Sequence, residues 1–230
     1  MNKLLFVLFA GIVFFGCEDA NRIEDSNAAS ACTDVLFPCA DDEAAEYCLF
    51  GAKFGGANPM SFGGPEASGV ATPGGNVTWT FARNQERYNS LVISTVLHPS
   101  TDPNDLPACL VDGVRRAFES WESVCDITFT EIDDFEAADA QVFFGTRIPG
   151  TGFGFPRNSE EACESFSSRI FLNTDEINCD LIDFVALHEI GHMIGLGHVG
   201  TSNIMGTEDL GFRSLQPGDV AGAQAIYGLK

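Results

Sequence analysis

Three of the four histidines in this 230-residue chain lie between His188 and His198, in the stretch HEIGHMIGLGH. Histidines four apart on a helix share one face, with Cβ atoms about 5–6 Å apart, so His188 and His192 can grip one metal ion together. Glu189 directly follows the first of them. Its carboxylate leans toward the open side of such a metal, where it can deprotonate a bound water. Gly195 permits the positive φ at which helices commonly end and turn, and that turn returns His198 as a third ligand. Three protein ligands leave a fourth position for water or substrate, the mark of a catalytic zinc site. With this composition the pattern H-E-x-x-H-x-x-G-x-x-H has a chance expectation on the order of 1 in 100,000. An accidental match on an ordinary core helix is therefore a poor alternative.

The elements that must position these groups can be read around them. Leu181, Ile182, Phe184, Val185 and Leu187 form the apolar face of a helix leading into His188. Asp180 is its N-cap candidate, with Asp183 in the first turn. Upstream, Val77 to Phe81 alternates as a strand. Leu106 to Trp121 has helical spacing through Leu110, Val114, Phe118 and Trp121. Ile127 to Ile132, Ala140 to Phe144 and Arg169 to Asn173 read as further strands. Strand, helix, strands, metal helix and final helix make an α+β order without internal repeats.

Seven residues past His198 comes Met205, in SNIMG. A long histidine motif followed by a methionine-containing turn resembles the metzincin zinc proteases. Within that clan VALHEIGHMIGLGH and the closing LQPGDVAGAQAIYG are most similar to the matrixins, the group of the matrix metalloproteases. The resemblance runs from about Gly75 to Lys230 and is strongest toward the C-terminus. It implies a twisted mixed β-sheet, an active-site helix, a methionine turn and a C-terminal helix. It also implies His188, His192 and His198 as zinc ligands, Glu189 as general base and then acid, and Met205 as the floor of the metal site. Asp219 is either the residue that ties the last helix to the methionine turn or a simple N3 carboxylate behind Pro217 at N1. Gly150 to Phe155, GTGFGF, is either the sheet edge to which an extended substrate adds as another strand or a connecting hairpin.

This chain departs from the matrixin pattern at several places. Val199 stands where serine is common, and Gly206 where tyrosine often follows the methionine. Phe171 takes a place where the family often has a histidine, and only His98 remains outside the motif, so a second, structural zinc is not expected. Calcium is a candidate substitute through Asp139, Asn173, Asp175 and Glu176, whose oxygens suit it. A solvated acidic loop is the plainer account of those four.

The N-terminus suggests export. Lys3, the apolar run Leu4 to Phe15 and Gly16 make a secretory signal too short to span a membrane. The pair Gly16-Cys17 resembles a bacterial lipoprotein box, although Phe14 stands where leucine is favoured; Cys17 would be lipidated and tether the protein without spanning the bilayer. Residues 1–16 are thus a signal peptide, 17–75 a lipidated stalk, pro-segment or Gly/Pro-rich linker, and 76–230 the catalytic domain. Latency through residues 18–75 would need a stand-in such as Cys39, Asp41 or Asp42, because no PRCGxPD-like motif occurs; a spacer with its own disulfide is the simpler alternative. Beyond Cys17 the chain has Cys32, Cys39, Cys48, Cys109, Cys125, Cys163 and Cys179. This odd number fits three disulfides and one leftover thiol in an oxidising compartment, with one or two bridges inside the catalytic domain.

The net charge of −21 disfavours nucleic acid and anionic membrane surfaces as partners, leaving a lipid anchor as the membrane contact. These features predict a monomeric, envelope-anchored or extracellular zinc endopeptidase acting on protein or peptide substrates. The alternatives are an astacin-like or pappalysin-like metzincin, or a zinc-containing surface binding protein on a protease fold. Glu189 argues against the last, since binding needs ligands and not a base.

Overall fold

The computed structural model describes residues 45–49, 53–55, 71–84, 86–89, 97–158, 165–200, 202–206 and 208–230. Its strands are β1 (Gly75–Phe81), β2 (Arg87–Asn89), β3 (Leu97–Pro99), β4 (Ile127–Glu131), β5 (Ala140–Gly145), β6 (Gly152–Asn158) and β7 (Ser165–Asn173). The helices are α1 (Ala108–Val124), α2 (Ile182–Met193) and α3 (Pro217–Tyr227). Five strands form one sheet in the order β4-β1-β5-β7-β6, parallel except for β6, which runs antiparallel along the edge. β2 and β3 form a separate antiparallel pair. The fold is the α+β arrangement that the element order predicts, with the mixed sheet that the resemblance implies. Among the described residues, no helix is long and apolar enough to cross a membrane.

The main core lies between the sheet and helices α1 and α2. On α1, Leu110, Val114, Phe118 and Trp121 are buried as their spacing requires, and Phe118 stacks on Trp79 of β1 with ring centroids 4.2 Å apart. α1 meets α2 at Gly113, where a Cβ would lie 2.7 Å from Ile182 Cγ1; a residue without a side chain is what lets the two helices touch. β5 is buried at every position because its other face is covered too. There Ala82, Phe143, Ile148 and Phe171 make a smaller apolar cluster, with Phe143 and Phe171 stacked at 4.9 Å. The position at which the resemblance suggests a metal-binding histidine is thus part of a hydrophobic patch.

The start of α2 differs from the expectation. Leu181, not Asp180, is the N-cap, and no side chain caps the helix. Asn178 instead organises the approach: its Oδ1 accepts the backbone N–H groups of Asp180 and Leu181 at 2.9 and 3.1 Å. An Asx turn one step earlier has displaced the cap. Just before it, Cys179 is disulfide-bonded to Cys109 at the start of α1. Cys48 is also disulfide-bonded, and Cys125 is a buried free thiol. Cys17, Cys32, Cys39 and Cys163, with the signal, stalk and latency assignments that involve residues 1–44, lie outside the described residues.

Part of the stretch between residues 17 and 75 is built into the domain. Cys48, Leu49 and Phe54 belong to the main core, and Leu49 pairs antiparallel with Leu196 beyond α2. Lys53 is fully buried at the far end of this segment.

Candidate metal centre

α2 is buried nearly all round, with His192 buried and His188 half-buried. Backbone carbonyls fix two of the imidazoles. His188 Nδ1 lies 2.7 Å from the Ile204 carbonyl, and His192 Nδ1 lies 2.8 Å from the Leu196 carbonyl. A carbonyl accepts only, so each Nδ1 carries the proton and each Nε2 presents a lone pair. The three Nε2 atoms of His188, His192 and His198 are 3.0–3.1 Å from one another. Two proton-free nitrogens facing each other at that distance repel unless a cation lies among them. Burial lowers the pKa of all three, His188 to about 4, so they are neutral and ready to ligate. This donor set fits zinc, whose usual ligands include neutral imidazole nitrogens.

The chain reaches His198 by a well-defined helix ending. Gly195 has φ +106°, Gly195 N–H donates to the His192 carbonyl at 3.1 Å, and Leu196 N–H donates to the Gly191 carbonyl at 2.9 Å. These are the paired bonds of a Schellman ending with glycine at C′. The same turn lays the Leu196 carbonyl on His192. Beyond His198, Val199 bridges Gly206 and its N–H donates to the Met205 carbonyl at 3.0 Å, closing a tight loop under the histidines.

Met205 is buried against Gly191, where a Cβ would collide with the Met205 sulfur and stand 3.1 Å from Trp121 Cζ2. Asp219 fastens this loop to α3. Its Oδ2 accepts Ile204 N–H at 2.9 Å and Gln216 N–H at 2.8 Å, and its Oδ1 accepts Met205 N–H at 3.1 Å. With Gln216 as N-cap this is also a capping box. The two alternatives for Asp219 are therefore one arrangement.

Glu189 is 6% exposed and sits beneath the edge strand. A Cβ on Gly152 would lie 3.0 Å from Glu189 Cγ and Oε1, and one on Gly154 would collide with the Glu189 carbonyl. Desolvation raises the Glu189 carboxyl to about 8, and a backbone hydrogen bond from Gly154 acts in the opposite direction. Asn173 N–H donates to Thr151 O, and Gly152 stands opposite Leu172. Alternation along an antiparallel pair then turns the backbone groups of Gly152 and Gly154 away from β7, toward the open edge.

The four calcium candidates do not converge. Asp139 Oδ2 accepts the backbone N–H and the hydroxyl of Thr78 at 2.8 and 2.7 Å, tying β1 to β5. Asn173 donates to the Ile148 and Gly150 carbonyls and accepts Asp175 N–H at 3.1 Å, which keeps Asp175 and Glu176 near it in one turn. Asp139 O accepts the N–H of Ser168, five residues before Asn173 on β7, so the two ends are about 16 Å apart. Among the described residues, His188, His192 and His198 are the one group of three or more His, Cys, Asp or Glu side chains close enough to share a metal.

Two features of the site carry little sequence signal. Trp121, read only as an apolar face residue, donates its indole N–H to the Leu187 carbonyl at 3.0 Å, next to His188. Asn203 donates from Nδ2 to the Glu46 carbonyl at 2.9 Å across 157 residues of chain.

With this geometry established, a family model described as Matrixin matches residues 94–228. The chain is 33% identical over 133 residues to Metalloendoproteinase 1-MMP of Arabidopsis thaliana, covering 50% of this chain and 36% of that one. It is 32% identical over 146 residues to Matrix metalloproteinase-19 of Homo sapiens, covering 57% and 28%. Stromelysin-1 of Rattus norvegicus is 29% identical over 187 residues, covering 72% and 36%. The chain thus spans about a third of the length of these relatives.

Proposed function

The chain belongs to the matrixin family, and from that premise we propose that it is a zinc-dependent endopeptidase. The observation that carries the proposal is the triangle of Nε2 atoms at 3.0–3.1 Å with Glu189 buried beside it. His188, His192 and His198 would hold the ion. When bound, zinc lowers the pKa of a water from 15.7 toward about 7 and polarises a carbonyl.

The chain's own residues do the rest. An extended peptide adds along β6, exchanging backbone hydrogen bonds with the outward groups of Gly152 and with the Gly154 carbonyl. That strand runs directly over Glu189, so the scissile bond is presented to the carboxylate. Glu189 takes the proton of the attacking water and passes it to the leaving amine. Desolvation raises its carboxyl from the usual carboxylate range toward neutral pH, so the same group can take a proton and give it up. Gly154 holds the carboxylate in place between the two transfers. A binding protein without turnover would gain nothing from a carboxylate buried at such a desolvation cost.

Export also belongs to this proposal. Cys17 carries the lipid, residues 1–16 are removed, and the protease works outside the cytoplasm as a monomer. Mass spectrometry of the mature N-terminus tests this, since an unmodified N-terminus at another residue excludes the anchor.

Activity is tested on a quenched peptide library. Cleavage should vanish with a zinc chelator and return with one equivalent of zinc. Chelator-resistant cleavage would overturn the proposal.

A further inference from the structure

We infer that Glu46–Leu49 is a strap that positions the metal ligands by holding, from outside, the two segments whose carbonyls orient His188 and His192. The inference rests on the zinc proposal above and extends it to residues upstream of the 94–228 family match.

The strap touches both segments by backbone. Its Cys48 carbonyl accepts Gly197 N–H at 2.9 Å, and Leu49 bridges Leu196. Leu196 supplies the carbonyl on His192 Nδ1, and Gly197 immediately precedes His198. One residue pair therefore fixes the orientation of the second ligand and the approach to the third. At its other end, the Glu46 carbonyl accepts Asn203 Nδ2–H at 2.9 Å. Asn203 precedes Ile204, whose carbonyl lies on His188 Nδ1. All three ligands thus hang from groups that four consecutive strap residues hold together.

The fold leaves the strap little freedom. A Cβ on Gly218 would collide with the Glu46 carbonyl and Asn203 Nδ2. A Cβ on Gly222 would come within 2.9 Å of Tyr47 Cβ and 2.8 Å of Leu196 Cδ2. α3 therefore presses the strap onto the loop, with glycine where they touch. Downstream, Phe54 N–H donates to the Tyr227 hydroxyl at 3.2 Å, and that hydroxyl donates to the Ile194 carbonyl at the C-cap of α2 at 2.9 Å. Lys53 Nζ donates to Thr72 O, Thr72 Oγ1 and the Ile226 carbonyl, pinning the segment against the end of α3.

Groups that orient metal-bound histidines typically change metal affinity by 10–100-fold when removed. Two full-chain variants test whether the strap acts in this way. Asn203→Asp replaces the N–H donor facing Glu46 O with an oxygen of the same shape, and Gly218→Ala drives a methyl between Glu46 and Asn203. Neither alters a ligand. Zinc release to a chromogenic chelator should accelerate about 10-fold or more in both. An Asp139→Ala variant, which removes the tie between β1 and β5 and leaves both α2 and the strap untouched, should release zinc at the wild-type rate. Release within twofold of wild type in Asn203→Asp, with normal far-ultraviolet circular dichroism, would overturn the inference, as would equal acceleration in Asp139→Ala. If Gly218→Ala prevents folding, Asn203→Asp alone decides. Wild-type protein that takes up no zinc would instead overturn the endopeptidase proposal and the strap with it.

Discussion

The backbone N–H of Met205 donates to Asp219 Oδ1 at 3.1 Å, so the turn that follows His198 is fastened to the first turn of the last helix. The other carboxylate oxygen takes Ile204 and Gln216, and Asp219 is 1% exposed. Asp219→Ala leaves three N–H groups without their acceptor. Each such loss costs about 1–3 kcal/mol when buried, so the variant should lose about 3 kcal/mol or more in urea unfolding. A loss under about 1 kcal/mol would mean that water replaces the carboxylate.

Gly191 offers a test of opposite sign to ordinary helix behaviour. Glycine to alanine in a helix interior usually gains about 1 kcal/mol. Here the new methyl meets Met205 and Trp121. Gly191→Ala should instead lose about 1–3 kcal/mol from overpacking and weaken zinc binding by displacing Met205. Thermal unfolding of the metal-free and zinc-loaded forms measures both effects.

The Cys109–Cys179 disulfide spans 70 residues and joins the approaches to α1 and α2. Chain-entropy reasoning gives about 4 kcal/mol for a loop of that size. The double serine variant should unfold at lower denaturant by that order. Cys125 is buried and its thiol is pushed up to about 12 by desolvation, so it should resist iodoacetamide in the native protein and react after unfolding. Alkylation of folded protein at Cys125 would contradict its burial.

Lys53 predicts a pH dependence. Burial lowers its pKa from 10.5 to about 8, so the folded protein holds this proton less tightly than the unfolded chain. Where the unfolded state binds more protons, stability rises with pH. The Lys53 contribution is therefore unfavourable below about pH 8 and is relieved as pH climbs through the window toward 10.5. Above its ordinary 9, Cys125 works in the opposite direction because its folded pKa is raised. Comparison with Lys53→Met at equal pH cancels that effect. Wild type should gain stability relative to the variant across the window, and parallel curves would contradict the assignment.

The sequence is most legible where the chemistry is local. His188, Glu189 and His192 are set by one helical turn, and Gly195 by the φ its helix ending demands. Strands β1, β4, β5 and β7 and helix α1 follow from apolar spacing, with ends displaced by Pro107 at the start of α1 and by Asn178 before α2. The three-residue strands β2 and β3 are too short to show a period. Contacts made across long stretches of chain leave no periodicity. Trp121 to Leu187 is 66 residues apart and Glu46 to Asn203 is 157, so neither the tryptophan's hydrogen bond nor the strap could be read. The calcium set failed to converge for a related reason: oxygen-bearing residues advertise only their chemistry, and the fold uses Asp139 and Asn173 to close its own backbone.

In the proposed reaction three imidazoles hold the ion and one carboxylate moves the proton, a division of labour that can be separated experimentally. Zinc stoichiometry and peptide turnover, measured side by side in wild type and Glu189→Ala, test it most directly. The variant should keep one equivalent of zinc while turnover falls about 100-fold or more. Near-wild-type turnover with zinc retained would contradict the role given to Glu189.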